Sequence, residues 1–455
     1  MFTREFLDTI MKAYDVRGLV DKQITTDFTF VLGSAFARFL EEEREPGTVV
    51  IGEDMRPSSA PFAEAFAAGV TSQGFDAIRI GLASTDMTYF ASGKLNLPGA
   101  MFTASHNPAE YNGIKLCKSA ARPIGQDSGL RRIRDLVVEG VSMPIRPPGK
   151  VTEKDMLHEY VDFLVSMFGD ELTAAPRRLK VVIDAGNGMA GHTAPAVMEK
   201  LNVDLIPMYF ELDGTFPNHE ANPIDAENVK DLQKAVKKHK ADIGLAFDGD
   251  ADRCFLIDEK GAVVTPSTLT GLIAVRELKR KPGSSIIYNL ISSKAVPEVV
   301  NENGGKAIRS RVGHSFIKAM MAETGAVFGG EHSGHFYFAE FWKADSGMLA
   351  ALFALAELAS SNAPLSELLA PYNRYVVSGE INTRVKDTEK SLTIIRESFK
   401  QDYELDELDG VTVTADEWWF NVRPSNTEPL LRLNVEANNK ATMEKVRDKV
   451  LELIK

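Results

Sequence analysis

The sequence predicts an α/β protein: three related mixed α/β domains followed by a smaller C-terminal α+β domain. Three observations carry that prediction. Short β-rich runs alternate with helical stretches from near the start to about residue 370. One pattern, a strand, a polar or glycine-bearing loop, a helix and a second strand, occurs three times at intervals of about a hundred residues. Beyond residue 370 the texture changes to short strands joined by short connections.

The first repeat is read from residues 48–56 (TVVIGEDMR), a small-residue helix over 60–70 and a strand over 76–80. The second comprises 180–188 (KVVIDAGNG), a helix ending near residue 200 and a strand over 203–208. The third comprises 285–290 (SIIYNL), a helix near Val296 and a strand around 306–310. The match is one of pattern more than identity. Linkers are expected at the Pro-rich 144–149 (PIRPPG), just after Arg253 and at 370–372 (APY), which divides the chain into 1–150, 151–253, 254–370 and 371–455. In the last segment, strands are expected over 375–385, 411–415, 418–422 and 430–437, with helices over 389–399 and 440–454. Their short connections suggest antiparallel pairing.

Composition narrows the function classes. At roughly 100 to 200 residues per domain, 455 residues suit three or four domains, not a fibre or a disordered tail. Two cysteines, Cys117 and Cys254, cannot staple a chain this long, so packing must hold it, as expected in a reducing cytoplasm. The opening residues lack the basic and apolar regions of a signal peptide. The most apolar stretch, 348–358, is shorter than the roughly 20 residues that span a bilayer and contains Glu357, so no membrane anchor is expected. Lys+Arg 52 against Asp+Glu 64 gives a net charge of −12 with no basic run, which disfavours nucleic acid as a partner.

The sharpest motif is 246–253 (AFDGDADR), after an apolar strand. Asp248 and Asp252 in an extended strand would stand about 13 Å apart, at about 3.3 Å per residue. The segment must therefore curl, which Gly249 permits, and the clustered charges call for a cation. Hard oxygen ligands without histidine or thiolate point to Mg²⁺, then Ca²⁺ or Mn²⁺. An EF-hand loop would use Asp248, Asp250, Asp252 and Glu259, but it requires glycine where Arg253 stands and helices where strands run. An aspartyl-phosphate phosphatase would use Asp248 as nucleophile, with Thr or Val expected in place of Asp252. A solvated acidic turn is the plain alternative, and Arg253, able to bridge to a phosphate, weighs against it.

Three further loops carry chemistry. Residues 101–108 (MFTASHNP), running on to 111–115 (YNGIK), end a β run in a tight polar turn that exposes the Ser105 hydroxyl. Serine needs a base or a metal to act as a nucleophile, and His106 and Lys115 are candidate helpers. The same residues also suit an ordinary Ser/Asn/Pro turn. Residues 327–335 (VFGGEHSGH) present Glu331, Ser333 and His335 between glycines, a set suited to sugar hydroxyls and to moving a proton near neutral pH. Residues 421–429 (NVRPSNTEP) place Arg423, Ser425, Asn426 and Thr427 in one turn, a phosphate cradle or a Pro-rich turn. Near the start, 14–18 (YDVRG) puts Tyr14 and Arg17 in another turn.

Together these motifs resemble the α-D-phosphohexomutase family, in particular its bacterial phosphomannomutase/phosphoglucomutase branch, over residues 14–429 and in the family's order. The resemblance implies four domains around a central cleft, the last with a TBP-like fold. It implies that Ser105 is a phosphoserine, and that Asp248, Asp250 and Asp252 bind Mg²⁺ together with a phosphoserine oxygen. Arg253 would lie beside them. Glu331 and Ser333 would contact sugar hydroxyls, and Arg423, Ser425, Asn426 and Thr427 the phosphate that does not react. Arg17, Lys115, His106 and His335 would assist proton transfer and phosphoryl stabilisation. Tyr14, Lys294 and His314 match substrate-contact positions. The sequence departs in small ways: Ala251 replaces a glycine common in the metal loop, acceptable if its φ is negative, Pro424 stiffens the phosphate loop, and His332 occupies a position that varies in the family.

The implied reaction is interconversion of hexose 6-phosphate and hexose 1-phosphate, mannose or glucose, through a hexose 1,6-bisphosphate that also serves as activator. The partners would be small-molecule hexose phosphates, with the chain a cytoplasmic monomer or homodimer. A phosphoglucosamine mutase is the nearest alternative, although such enzymes open with a Gly-Thr-Asp-Gly type segment. A sugar-phosphate phosphatase, or a non-catalytic phosphosugar-binding protein lacking a nucleophile or ligand, belong to other classes. No ligand or nucleophile is missing from the sequence.

Overall fold

The computed structural model describes residues 2–142, 144–424 and 430–454, the side chains of His314 and Ser315 excepted. The three repeats fold as parallel strand pairs joined by a helix. Thr48–Glu53 pairs with Asp76–Leu82 across Ser59–Ser72, and Leu179–Asp184 with Val203–Met208 across Ala190–Met198. Ser285–Asn289 pairs with Lys306–Ser310 across Ala295–Glu302. Val49, Val50 and Ile51, Val181, Val182 and Ile183, and Ile286 and Ile287 are all fully buried. Such uninterrupted apolar runs are what strands covered on both faces require.

Each repeat continues in the same way. A third strand pairs parallel with the first: Gly99–Phe102, Ile243–Phe247 and Phe328–Gly330. A fourth returns antiparallel: Tyr111–Lys118, Cys254–Asp258 and Phe336–Phe338. The turn between the third and fourth strands holds Ser105 in the first sheet, Asp248 to Arg253 in the second, and Glu331 to His335 in the third. All three functional turns thus leave the carboxyl end of a parallel strand, where open α/β sheets bind ligands. An antiparallel bridge between Arg253 and His335 ties the second turn to the third.

The expected boundaries at residues 150 and 253 fall inside sheets. Val151–Glu153 is the edge strand of the first sheet, parallel to Asp76–Leu82. Cys254–Asp258 and Val263–Val264 complete the second sheet. In both places backbone groups that a linker would leave to water are paired with another strand, a distant one for Val151–Glu153 and the preceding one for Cys254–Asp258. The C-terminal sheet is wholly antiparallel, in the order Val376–Arg384, Leu430–Ala437, Trp418–Pro424, Val411–Thr414, Glu404–Asp406. Glu404–Asp406 was not anticipated. Helices Thr388–Phe399 and Lys440–Ile454 cover this sheet and form a separate core around Leu392, Phe399, Phe420, Val446 and Val450.

The apolar stretch near residue 350 is a core helix, Gly347–Ala359, buried all round in a cluster that includes residues of the first three sheets. Among the described residues no helix is long and apolar enough to cross a membrane. Ser346 caps this helix, accepting from the Leu349 N–H at 3.0 Å. Its hydroxyl also donates to Asp86 Oδ2 at 2.6 Å, and the Tyr160 hydroxyl donates to the same oxygen at 2.7 Å. Ser84 donates to Asp86 Oδ1. One buried carboxylate thus joins helices Thr85–Leu95, Leu157–Ser166 and Gly347–Ala359.

Candidate active site

The acidic turn curls tightly. Ala251 N–H donates to the Asp248 carbonyl at 3.0 Å, and carboxylate oxygens of Asp248, Asp250 and Asp252 come within 4.8 Å of one another. The curl passes through Ala251, whose φ is +59°, so the condition of a negative φ under which alanine replaces glycine without strain is not met. A left-handed alanine costs roughly 1–2 kcal/mol. Gly249 has a different role: a Cβ there would stand 2.4 Å from the Ser105 carbonyl oxygen. It lets the first turn lie directly on the second.

Ser105 is 4% exposed and, with φ +52°, also left-handed. Its Oγ donates to Asp248 Oδ2 at 2.8 Å and lies 3.1 Å from His106 Nδ1. Arg253 donates to the same carboxylate, from Nε to Oδ2 at 2.7 Å and from its backbone N–H to Oδ1 at 3.1 Å. Lys115 Nζ donates to Asp250 Oδ2 and to Asp252 Oδ2, each at 2.6 Å, and Thr85 Oγ1 donates to Asp250 Oδ2 at 2.5 Å. The nucleophile candidate, three carboxylates and two cations therefore form one buried cluster contributed by two sheets.

The charges in this cluster interact strongly. Burial pushes the Asp248 carboxyl up despite Arg253, because Asp252 and Asp250 repel its negative form. Burial also works against ionised Asp250 and Asp252, but the Lys115 ammonium outweighs it and holds both below the usual carboxylate range. In return, despite burial, the two carboxylates hold Lys115 well above the ordinary lysine value. Arg253, followed by burial, drives His106 well below the ordinary histidine value, so its imidazole is neutral at neutral pH. Asp250 Oδ1, Asp252 Oδ1 and Arg253 Nη2 are buried without a hydrogen-bond partner. Two orphaned carboxylate oxygens in an all-oxygen set fit a hard divalent cation, and an orphaned guanidinium nitrogen fits a phosphate oxygen.

The third turn faces this cluster. His335 Nε2 is 3.6 Å from Asp252 Oδ1 and its Nδ1 is 2.9 Å from Ser333 Oγ. Glu331 is 2% exposed, its Oε2 accepting from Tyr337 at 2.6 Å and its Oε1 from the Gly313 N–H at 3.0 Å. Arg17 pairs with Asp15 at 2.6 Å and donates to Asn107 Oδ1, beside Ser105. Tyr14 lies among Asp15, Glu331, Arg17 and Arg432, and burial, followed by these acids, raises its phenol.

In the C-terminal domain Arg423 and Arg432 stand opposite each other on paired strands. Glu380 bridges them, at 2.8 Å to Arg423 Nη2 and 3.3 Å to Arg432 Nη1. Two like charges placed directly opposite suit an anion. Ser425, Asn426 and Thr427, and the His314 side chain, lie outside the described residues. Lys294 is not brought to the acidic turn: its ammonium lies over the Tyr375 ring at 4.3 Å and donates to the Asp416 carbonyl at 3.3 Å. Arg56, Thr85, Glu380 and Arg432 went unread in the sequence. Only Arg56 had a visible signal, lying in the loop of the first repeat.

The comparisons with known proteins follow the same four-part division. Family models match residues 8–140, 158–261 and 265–375 as phosphoglucomutase/phosphomannomutase alpha/beta/alpha domains I, II and III, and 380–453 as the C-terminal domain. The chain belongs to the phosphoglucomutase/phosphomannomutase family. A phosphomannomutase of Escherichia coli is 37% identical, over 98% of this chain and 99% of its own. A phosphoglucomutase/phosphomannomutase family protein of Burkholderia thailandensis superposes with a TM-score of 0.90 at 30% identity, covering 100% of this chain and 97% of its own. The same fold, at a TM-score of 0.60 and 14% identity, occurs in an Aspergillus fumigatus N-acetylphosphoglucosamine mutase solved with GlcNAc-6P and magnesium, covering 98% of this chain and 95% of its own. With all four domains present and full-length relatives named for the reaction, the chain is a hexose phosphate mutase.

Proposed function

We propose that this family member interconverts the 6- and 1-phosphates of mannose or glucose by passing a phosphoryl group through Ser105 and a hexose 1,6-bisphosphate. The observation that supports this most is the Ser105 hydroxyl, buried 2.8 Å from Asp248 at the junction of the first two sheets. Asp248, Asp250 and Asp252, with an oxygen of phosphorylated Ser105, would hold Mg²⁺, which when bound offsets negative charge on the transferring group.

Phosphorylated Ser105 gives its phosphoryl group to the free O1 or O6 hydroxyl of the bound sugar phosphate. The P–Oγ bond breaks, a P–O bond to the sugar forms, the sugar hydroxyl's proton passes to a base, and the departing Ser105 Oγ takes up a proton to become the hydroxyl that donates to Asp248. His335, linked to Ser333 through Nδ1 and near Asp252 through Nε2, is the imidazole that can take it. His106 is held neutral by Arg253 and reaches Ser105 Oγ, the atom that leaves. Lys115, fixed as a cation by two carboxylates, serves as charge and not as base. Arg253 Nη2 and Arg17 Nε, both without partners, meet the transferring oxygens. The bisphosphate then turns over, and its other phosphate returns to Ser105 by the reverse step.

The paired Arg423 and Arg432, with Ser425, Asn426 and Thr427, hold the phosphate that does not react, and Glu380 is the anion they exchange for it. Glu331 and Ser333 bind sugar hydroxyls, and Tyr14 and His314 occupy sequence positions that match substrate contacts. Mannose and glucose differ at one hydroxyl, and the relatives named phosphomannomutase favour mannose. A coupled assay with mannose 1-phosphate, glucose 1-phosphate and glucosamine 1-phosphate tests the assignment. The first two are expected to turn over, and turnover of the glucosamine compound alone would overturn it.

A further inference from the structure

Arg56 lies in the middle of the loop of the first repeat, between strand Thr48–Glu53 and helix Ser59–Ser72. It is only 2% exposed. Its guanidinium is surrounded by backbone carbonyls of the Ser105 turn. Nη2 donates to the carbonyls of Ser105 at 3.0 Å and Asn107 at 2.6 Å. Nη1 donates to those of Pro108 at 2.9 Å and Tyr111 at 3.0 Å. Four carbonyls spanning seven residues thus converge on a single planar cation.

The clamp is itself held from three sides. Asp54 Oδ2 lies 3.3 Å from Arg56 Nε, and Asp54 Oδ1 is fixed by Ser59 Oγ at 2.6 Å and by the Arg56 N–H at 3.0 Å. The Phe216 ring, from the second domain, lies 5.0 Å from the guanidinium carbon. Gly214 packs against the Arg56 backbone so closely that a Cβ would come within 2.7 Å of its Cα. Among the described residues, every hydrogen bond that the guanidinium donates goes to the backbone of the Ser105 turn. The whole arrangement bears on the shape of that one turn.

That turn needs support. Ser105 is a non-glycine residue at φ +52°, a conformation that persists only when its surroundings over-determine it. A trans peptide points its carbonyl and N–H in opposite directions, so drawing the Ser105 carbonyl onto Arg56 turns the His106 N–H to the opposite face. It also fixes the rotation of the Ser105 backbone, and with it the direction of Oγ toward Asp248.

We infer that Arg56 is a positioning residue for the phosphoryl-transfer step: its guanidinium holds the Ser105 turn in the left-handed conformation that aims Oγ at Asp248. The inference rests on the phosphoserine reading of Ser105. An ammonium in the same place has the charge but not the fork, and cannot satisfy four carbonyls in a plane. The consequence is specific. Sugar phosphate is bound elsewhere in the cleft, so loss of the clamp lowers kcat and leaves KM nearly as it was.

The test is Arg56→Lys, measured for melting temperature, for kcat and KM in the mutase assay, and for phosphate incorporated at Ser105 from hexose 1,6-bisphosphate by intact-protein mass spectrometry. The expected result is a folded protein with kcat lowered about 10²-fold, KM within about threefold, and slow incorporation of phosphate. A folded variant with kcat within about threefold of the parent overturns the inference, as does a fall confined to melting temperature. If the lysine variant does not fold, the pair Asp54→Asn with Arg56→Gln, which leaves no buried charge uncompensated, is read by the same criteria. The phosphoserine reading fails separately, when the unaltered enzyme acquires no phosphate at Ser105 in the same mass measurement.

Discussion

Ser105 Oγ and Asp248 Oδ2 lie 2.8 Å apart, although the two residues belong to different sheets and are separated by 143 positions. They meet because each follows the third strand of the same repeated unit. Gly249 removes the one atom that would hold the two turns apart. The geometry of this contact and of the charges around it leads to four expectations that can be measured.

Asp250→Asn is expected to weaken binding of a divalent cation. Even groups that only orient a metal ligand cost about 10–100-fold in affinity when lost, and a direct carboxylate should cost no less. Asp250 Oδ1 is one of the two orphaned oxygens of the cluster. Calorimetric titration with Mg²⁺ measures this, and unchanged affinity would place the ion elsewhere.

Lys115→Met leaves the buried carboxylates of Asp250 and Asp252 without their shared counter-charge. Breaking a buried pair costs about 3–5 kcal/mol, so a marked fall in melting temperature is expected without divalent cation. Added Mg²⁺ supplies the missing charge. The rise in melting temperature on adding it should therefore be larger in the variant than in the parent, and an equal rise counts against the shared role of ammonium and ion.

Asp86, next in sequence to the Thr85 that donates to Asp250, predicts a pH dependence. Burial raises its carboxyl to about 6 despite the hydroxyls of Ser346, Ser84 and Tyr160, against 3.8 for the free group. Between those values the folded chain keeps a proton that the unfolded chain has lost. Stability from this group is therefore complete below the unfolded value and declines as pH rises through about 6, by about 3 kcal/mol in all. Asp86→Asn cannot titrate. Urea unfolding at low and neutral pH should show a smaller loss for the variant, and parallel curves would exclude the residue.

Ala251→Gly should relieve the left-handed backbone of the acidic turn. The relief of roughly 1–2 kcal/mol is partly offset by the extra freedom of an unfolded glycine, about 0.4–1 kcal/mol. A net gain of up to about 1.6 kcal/mol is expected with the mutase rate retained. A loss of stability would mean that the alanine methyl is needed for packing.

Much of this was legible in the sequence where the signal was local. Uniform apolar strands with a loop and helix between them specify the three repeats, and each chemical motif could be placed at the end of a strand because the strand before it was readable. What depends on distant pairing was not legible. Val151–Glu153 joins a sheet through Asp76–Leu82, and no pattern in its three residues indicates that. Cys254–Asp258 is a different case: it returns antiparallel on the strand just before it, Ile243–Phe247, so the polar turn ending at Arg253 is the bend of one sheet and not a linker between domains. Arg56 reads as a loop residue until its carbonyl partners, 49 to 55 positions away, are in place. Lys294 carried a motif, but its ammonium is held by the C-terminal domain. The sign of φ at Ala251 followed from the need to gather three carboxylates, a need the sequence revealed without showing which residue would bend.

The central claim is that the phosphoryl group passes through Ser105. Ser105→Ala, assayed for conversion of mannose 1-phosphate and weighed intact after incubation with hexose 1,6-bisphosphate, addresses it most directly. The account predicts no measurable turnover and no added phosphate, with the melting temperature preserved. A variant that retains near-normal mutase activity would contradict it.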